Sequence, residues 1–210
     1  MKPTGNKNVD YEILNRLDDK SLLSYCSTSK HYKEICNNQD YWKNRFFNKH
    51  GKYLAREIVD RYKHNKSWSE YYIEISSKVN TKYPEYELAT ALQSKREDIA
   101  ILLQTLRNAN VNFINMPHFI GYTDSKNNKQ GKVKYFYTDG NLQMKREYKN
   151  DQPIGLSESY YESGNLWYAA NFVFKPQENT SYIVGEAIVY NQDGSVSESH
   201  FYDNEGRKIN

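Results

Sequence analysis

The stretch FYTDGNL (136–142) returns as YYESGNL (160–166), 24 positions later. Two matching heptads can arise by chance, so the test is a third copy with matching flanks. It exists. Anchored on Gly140, Gly164 and Gly194, each copy has another glycine nine residues upstream: Gly131, Gly155 and Gly185. Four residues before the anchor stand Phe136, Tyr160 and Tyr190; two after it, Leu142, Leu166 and Val196; eight after it, Tyr148, Phe172 and Tyr202. Asp139-Gly140 and Asp193-Gly194 are strong hairpin-turn dipeptides, because glycine accepts the positive φ that such turns require. Val133, Tyr135 and Tyr137 enter the first turn, and Leu142, Met144 and Tyr148 leave it, in the period-2 alternation of a strand. Each copy therefore reads as one hairpin, and stacked copies make an antiparallel β-meander, since one hairpin alone is marginal in water. The spacing stretches to 30 before the third copy, which fits a loop insertion at PQENTS (176–181). The ending YDNEGRKI (202–209) reads as an abbreviated fourth copy that caps the open sheet edge.

Working outward to the N-terminal side, the period changes to that of helices. Ile13, Leu14 and Leu17 share one face, and Leu22, Leu23 and Cys26 repeat the spacing. Ser29 and Asn38 are placed to cap helices carrying Tyr32, Ile35 and Cys36, then Trp42, Phe46 and Phe47. Further on, Ser67-x-x-Glu70 and Ser94-x-x-Glu97 read as capping boxes, and Pro84 fits a first helical position. The fold class is thus α+β: an N-terminal helical bundle (8–50), a helical spacer (51–121), a linker at YTDSKNNKQ (122–130), and repeated β-hairpins (131–210).

Composition bounds what the chain can do. Of 210 residues, 38% are hydrophobic and mean hydropathy is −0.95, yet 20 Tyr, 8 Phe and 3 Trp supply core-building material. There is no apolar run long enough for a membrane span and no secretory signal at the start. Cys26 and Cys36 lack a Cys-x-x-Cys spacing, so reduced thiols are expected rather than a disulfide scaffold or a zinc site. Asn (23), Lys (21), Tyr (20) and Ile (13) are abundant while Ala (8) is scarce, the mark of AT-rich codons. Residues 1–130 hold 21 Lys and Arg against 15 Asp and Glu, net +6; residues 131–210 hold 8 against 11, net −3. Neither half has the concentrated positive charge of a nucleic-acid binder, so no nucleic acid is expected.

No phosphate loop, zinc-protease helix or nucleophile elbow occurs, so no catalytic residue, metal ligand or cofactor is assigned. Glu57 and Asp60 beside Arg56 and Arg61 read as surface ion pairs, and His200 as a residue on the sheet surface. The chain reads as a binding protein rather than an enzyme.

Two resemblances sharpen this. The pattern aromatic, spacers, Gly, one residue, Leu or Val over about residues 131–209 resembles the MORN-type repeats of YwqK-like antitoxin proteins. That implies a single-layer sheet whose aromatics, here Tyr135, Tyr137, Tyr161, Trp167, Tyr168 and Tyr190, meet a target protein or a lipid surface. EILNRLDDKSLLSYCSTSKHYKEICNNQDYWKNR (12–45) resembles an F-box, most of all the F-box-like domain of large DNA viruses of amoebae. The matching positions are Ile13-Leu14, Leu17-Asp18, Leu22 before Ser29-Lys30, Tyr32, Ile35 and Trp42-Lys43. The family's opening Leu-Pro is replaced by Gly5-Asn6, with Pro3 three residues too early. The resemblance implies that Ile13, Leu14, Leu17, Leu22 and Leu23 give an apolar surface to a host Skp-type adaptor and, through it, a cullin ligase in the (host) cytoplasm. The reading from a different class is a binding scaffold unrelated to ubiquitin. The segment ELATALQSKREDIAILLQTLRNANVN (87–112) faintly resembles one ankyrin repeat without its Thr-Pro-Leu-His opening.

Overall fold

The structure, a computed structural model, describes residues 4, 6–28 and 30–209. Among these the helices are α1 (Lys7–Arg16), α2 (Asp19–Thr28), α3 (Lys30–Cys36), α4 (Gln39–His50), α5 (Arg56–Lys63), α6 (Trp68–Val79), α7 (Pro84–Gln93) and α8 (Glu97–Arg107). Eight strands follow: β1 (Val111–Met116), β2 (Phe119–Asp124), β3 (Lys129–Phe136), β4 (Leu142–Lys149), β5 (Gln152–Tyr160), β6 (Leu166–Lys175), β7 (Thr180–Tyr190) and β8 (Val196–Tyr202). The chain divides into two compact units, one of residues 1–82 and 96–107, the other of 83–95 and 108–210.

The helical unit is built around aromatic packing of α4 on α6. Trp42 meets Tyr72 with ring centroids 5.3 Å apart, Phe46 meets Tyr71 at 5.0 Å, and all four are buried. Aromatics bury more area per residue than aliphatics, which suits a short, Ala-poor chain. Two caps are as the sequence predicts. Asn38 accepts from the Asp40 amide at 2.8 Å, and Ser67 and Glu70 form a reciprocal capping box. The second expected capping box does not form: Ser94 ends α7, where its hydroxyl donates to the Thr90 carbonyl at 2.7 Å. The local hydrogen bond back along its own helix wins over capping the next one. The Ser29 cap and the Pro3 and Gly5 positions lie outside the described residues.

Three further expectations are corrected. The cysteines are not free thiols: Cys26 in α2 and Cys36 at the end of α3 form a disulfide, with Cα atoms 5.7 Å apart. α2 and α3 pack against each other and bring the two side chains together, a juxtaposition that spacing in sequence does not reveal. Residues 51–121 are not a separate helical spacer either. α6 and α8 pack together in the helical unit, whereas α7 packs on β3 and β1, and residues 111–116 and 119–121 are already strand. Finally, YTDSKNNKQ is no linker; it is the end of β2, a turn and the start of β3. Asp124 organises that turn by accepting from the Lys126 and Asn128 amides, both at 2.9 Å, an Asx-type turn that reads as loop in sequence.

The sheet is an uninterrupted antiparallel meander, β1 to β8 in order. Its repeat columns acquire a physical meaning. The upstream glycines have φ of +68° (Gly131), +63° (Gly155) and +71° (Gly185), and each lies by a shift in register with the preceding strand. A bulge needs that left-handed conformation, which side chains resist. Across the hairpin each bulge glycine faces the repeat's aromatic: Gly131 opposite Tyr148, Gly155 opposite Phe172, Gly185 opposite Tyr202. The ring covers backbone that glycine leaves bare. Consecutive hairpins are also tied at their turns. The Tyr137 hydroxyl donates to the Tyr160 carbonyl and the Tyr161 hydroxyl to the Tyr190 carbonyl, both at 2.7 Å. Asn141 and Asn165 repeat the pattern one step out, donating to the Glu162 and Gln192 carbonyls at 3.0 and 2.6 Å.

The abbreviated fourth copy closes on itself, with the Gly206 amide donating to the Asp203 carbonyl at 3.0 Å and a bridge from Tyr202 to Lys208.

A Cβ added at Gly155 would have no neighbour within 4 Å, so substitution there tests the backbone alone. Gly155→Ala should lower the free energy of unfolding by about 1–2 kcal/mol, and Gly155→Asn by less, since Asn enters the left-handed region more readily. Urea denaturation of the two variants beside the parent checks the order.

Candidate functional site

Two surfaces stand out, one in each unit. In the helical unit, the α1–α2 corner, α4 and α6 enclose a half-open groove of about 940 Å³. Its position depends on Arg45, which is almost fully buried. The Arg45 guanidinium donates to the Leu14 and Leu17 carbonyls at 3.0 and 2.7 Å, capping the end of α1, where the Leu14 carbonyl also accepts from the Leu17 amide at 3.2 Å. The same group donates to Tyr72 Oη at 2.9 Å and pairs with Asp19 at 3.1 Å. Asp19 accepts further from Tyr72 Oη (2.5 Å), Lys49 (2.8 Å) and Asn80 (3.2 Å). Burial works to raise the Asp19 carboxyl, but hydrogen bonds from Lys49, Tyr72 and Arg45 prevail and hold it at about 2. The corner between α1 and α2 is thereby pinned to α4 and α6.

The five apolar residues expected to meet an adaptor divide by position. Leu14 and Leu22 are wholly buried and belong to the helical core. Ile13 and Leu17 are half-buried, and Leu23 is 44% exposed. Leu17 and Leu23 line the groove, joined by Ile73 of α6, 42% exposed, with Trp42 and Tyr72 behind them. Ile73, Arg45 and Asp19 were not expected here. Ile73 is far along the chain, and nothing in the local pattern marks Arg45 and Asp19 as partners.

In the sheet unit, the register places three rows on one face. Tyr135, Met144, Ser159, Tyr168, Val189 and Glu198 form the first, each paired with the next. Two residues further along the strands lie Val133, Ser157, Ala170 and Ala187, all buried, with Arg146 beside Val133 and His200 beside Ala187. The third row holds Tyr148, Phe172 and Tyr202 opposite their glycines. Rings in both outer rows, Tyr135 and Tyr168 on one side and Tyr148, Phe172 and Tyr202 on the other, flank a middle row of mostly small residues and frame a trough across the strands.

Of the six aromatics expected to bind a target, Tyr135 and Tyr168 stand in the first row and are half-buried. Burial pushes both phenols up from their ordinary range, Tyr135 further with help from the Tyr148 hydroxyl. Tyr137 and Tyr161 spend their hydroxyls tying one hairpin to the next. Tyr190 is half-buried at the last turn, and its carbonyl is what Tyr161 reaches. Trp167, 47% exposed, sits by the second turn with its ring 6.3 Å from that of Tyr161. Arg146 is the residue that sequence reading passes over, although its phase between Met144 and Tyr148 puts a charge on the aromatic face. Among the described residues, no three His, Cys, Asp or Glu side chains stand together as a metal site, and no helix is long and apolar enough to cross a membrane.

Comparison with known families finds a match in each unit. Residues 11–44 match the F-box domain, and residues 129–150 and 153–173 match the MORN repeat variant. Both families are non-catalytic binding domains, and F-box domains typically bind a Skp-type protein. No curated protein matches the chain. Among solved structures it is similar to a mutant of S. aureus TarM in complex with fondaparinux, α-GlcNAc-glycerol and UDP, at 14% identity and a TM-score of 0.24, covering 82% of this chain and 31% of that one. A second TarM structure gives 13% identity and the same TM-score, covering 100% and 38%. The chain thus spans about a third of the length of those structures, and the likeness is too weak to bear on fold or function.

Two measurements test the helical site. Arg45→Met strips two carbonyls and Asp19 of their shared donor and should cost about 3 kcal/mol of stability, read from the urea midpoint. His50, buried with neither ring nitrogen hydrogen-bonded, has its pKa lowered to about 4 by burial and by Lys49. Its neutral form is the folded form, so stability is full above the ordinary value near 6.5 and falls as acid protonates the unfolded chain. The loss should reach about 1 kcal/mol by pH 5.5, and His50→Leu should flatten the curve between pH 7 and 5.5.

Proposed function

We propose that this chain is a non-catalytic adaptor: its F-box helices dock on a Skp-type protein while the β-sheet holds a target protein, bringing that target to a cullin-type ubiquitin ligase. The observation that carries this reading is the groove on the F-box segment, where Leu17 and the 44%-exposed Leu23 remain open beside Ile73. An apolar patch of this kind, ringed by charged residues such as Lys20 and Lys49, has the composition of a protein interface. Chemistry would belong to the partners, and this chain's contribution is proximity. In this reading the protein works in the cytoplasm, that of a host cell where the source is a large DNA virus.

One observation favours the second reading, a binding scaffold unrelated to ubiquitin. The Cys26–Cys36 disulfide suits an oxidising compartment, where Skp-type adaptors do not act.

Titration calorimetry of the intact chain against a Skp-type adaptor, with and without dithiothreitol, separates the two. The adaptor reading expects micromolar or tighter binding in reducing buffer, weakened at least about tenfold, or 1.4 kcal/mol, by Leu23→Asp. Leu23 is exposed, so circular dichroism of that variant should match the parent. Absence of binding by both oxidised and reduced protein would leave the scaffold reading.

A further inference from the structure

The trough carries a charge that the fold itself does not neutralise. Arg146 occupies the column where the second repeat has Ala170 and the third has His200, and it is half-buried. Its Nε donates to Ser157 Oγ at 2.7 Å, and its guanidinium lies 5.3 Å from the centre of the Phe172 ring. The other arginines that are buried or half-buried meet carboxylates: Arg45 pairs with Asp19, and Arg96 with Asp98 and Glu74. Arg146 has no ion pair among the described residues. Its acidic neighbours face away, since Glu147 accepts from Tyr86 of α7 and Glu158 pairs with Lys145 at 2.7 Å. His200 at the far end of the trough already has Glu198, 3.5 Å away.

A partly desolvated guanidinium with its terminal N–H groups uncommitted is suited to a bidentate carboxylate. The dimensions select the form of the ligand. Four residues along a strand separate the outer rows, about 14 Å, and five strand spacings from β3 to β8 give about 24 Å of length. Rings on both sides narrow that width to one extended chain of roughly seven residues.

We propose that the trough holds an extended acidic segment of a partner protein, with an Asp or Glu carboxylate on Arg146 and apolar or aromatic side chains against the flanking rings. This rests on the reading of the sheet as the target-holding surface and names the chemistry of that target. An anionic membrane is the poorer match, because residues 131–210 carry a net −3 and the trough offers a single unpaired cation rather than a basic surface.

The test is selection of a displayed library of random 12-residue peptides on the intact chain, followed by synthesis of the leading sequence. Selected peptides should be enriched in Asp and Glu. The leading peptide should lose about tenfold or more in affinity when its acidic residue becomes Asn or Gln, and comparably against Arg146→Met. The change on the peptide leaves the protein untouched, so it decides the matter even where Arg146→Met unfolds. Peptides without an acidic residue, or unchanged by both substitutions, overturn the proposal. Peptides that respond to Leu156→Asp on the opposite face and not to Arg146→Met overturn it while sparing the target-holding sheet. No enrichment, or co-sedimentation with phosphatidylserine vesicles instead, overturns both.

Discussion

The helical unit depends on one buried cation. α1 and α2 are short, about three turns each, and helices of that length have little stability of their own. Arg45 reaches from α4 to carbonyls near the end of α1 and to the first residue of α2, so it fixes the angle at which α2 leaves. Everything that follows in space, including which leucines close the core and which stay open, is set by that angle. A hydrophobic contact would tolerate sliding; a planar guanidinium with acceptors on several sides does not. The desolvation cost is offset because Asp19 is itself satisfied by Tyr72, Lys49 and Asn80.

The sheet reaches order by a different route. Its register is set by pairing, through a bulge glycine set against an aromatic ring three times over. The bulge re-aims the strand and gives the repeat its step, while tyrosine hydroxyls lock each turn to the next hairpin. These bonds are local between neighbours, so the sheet is close to a one-dimensional array whose stability is a sum over units and their interfaces. The trough is a by-product of this regularity. Repetition aligns corresponding residues of successive hairpins into rows, the rings in the outer rows and mostly small residues between them.

Much of this was legible in the sequence, and what was hidden has a common cause. The three repeat hairpins and the Asp-Gly turns followed from columns such as Gly140, Gly164 and Gly194, because a turn is a local object whose residues are adjacent. Asn38 and Ser67 could be named as caps for the same reason. β1 and β2 escaped because Val111–Met116 and Phe119–Asp124 lack the anchor columns of the repeat. The Cys26–Cys36 bond, the roles of Arg45 and Asp19, and the entry of Ile73 into the groove all require knowing which distant segments touch. Among the candidate site residues, the pattern did not fix exposure: Leu23 and Trp167 are exposed, while Leu17, Tyr135 and Tyr168 are half-buried. It could not separate Leu14 and Leu22, which face inward, from their neighbours on the same helices.

The tie between consecutive turns bears on how such a chain can change in evolution. The turns of the three repeat hairpins lie along one margin of the sheet, where each is bonded to the next, and the extra residues near Pro176 lie at the opposite margin, in the connection between β6 and β7. That second margin is the permissive one: insertions there leave the ladder of turns intact. Duplication of a 24-residue unit would add two strands, widening the sheet by about 10 Å and lengthening the trough by the same amount. Reach along a ligand and the identity of the residue at the Arg146 column can therefore vary independently, one by copy number and the other by point substitution.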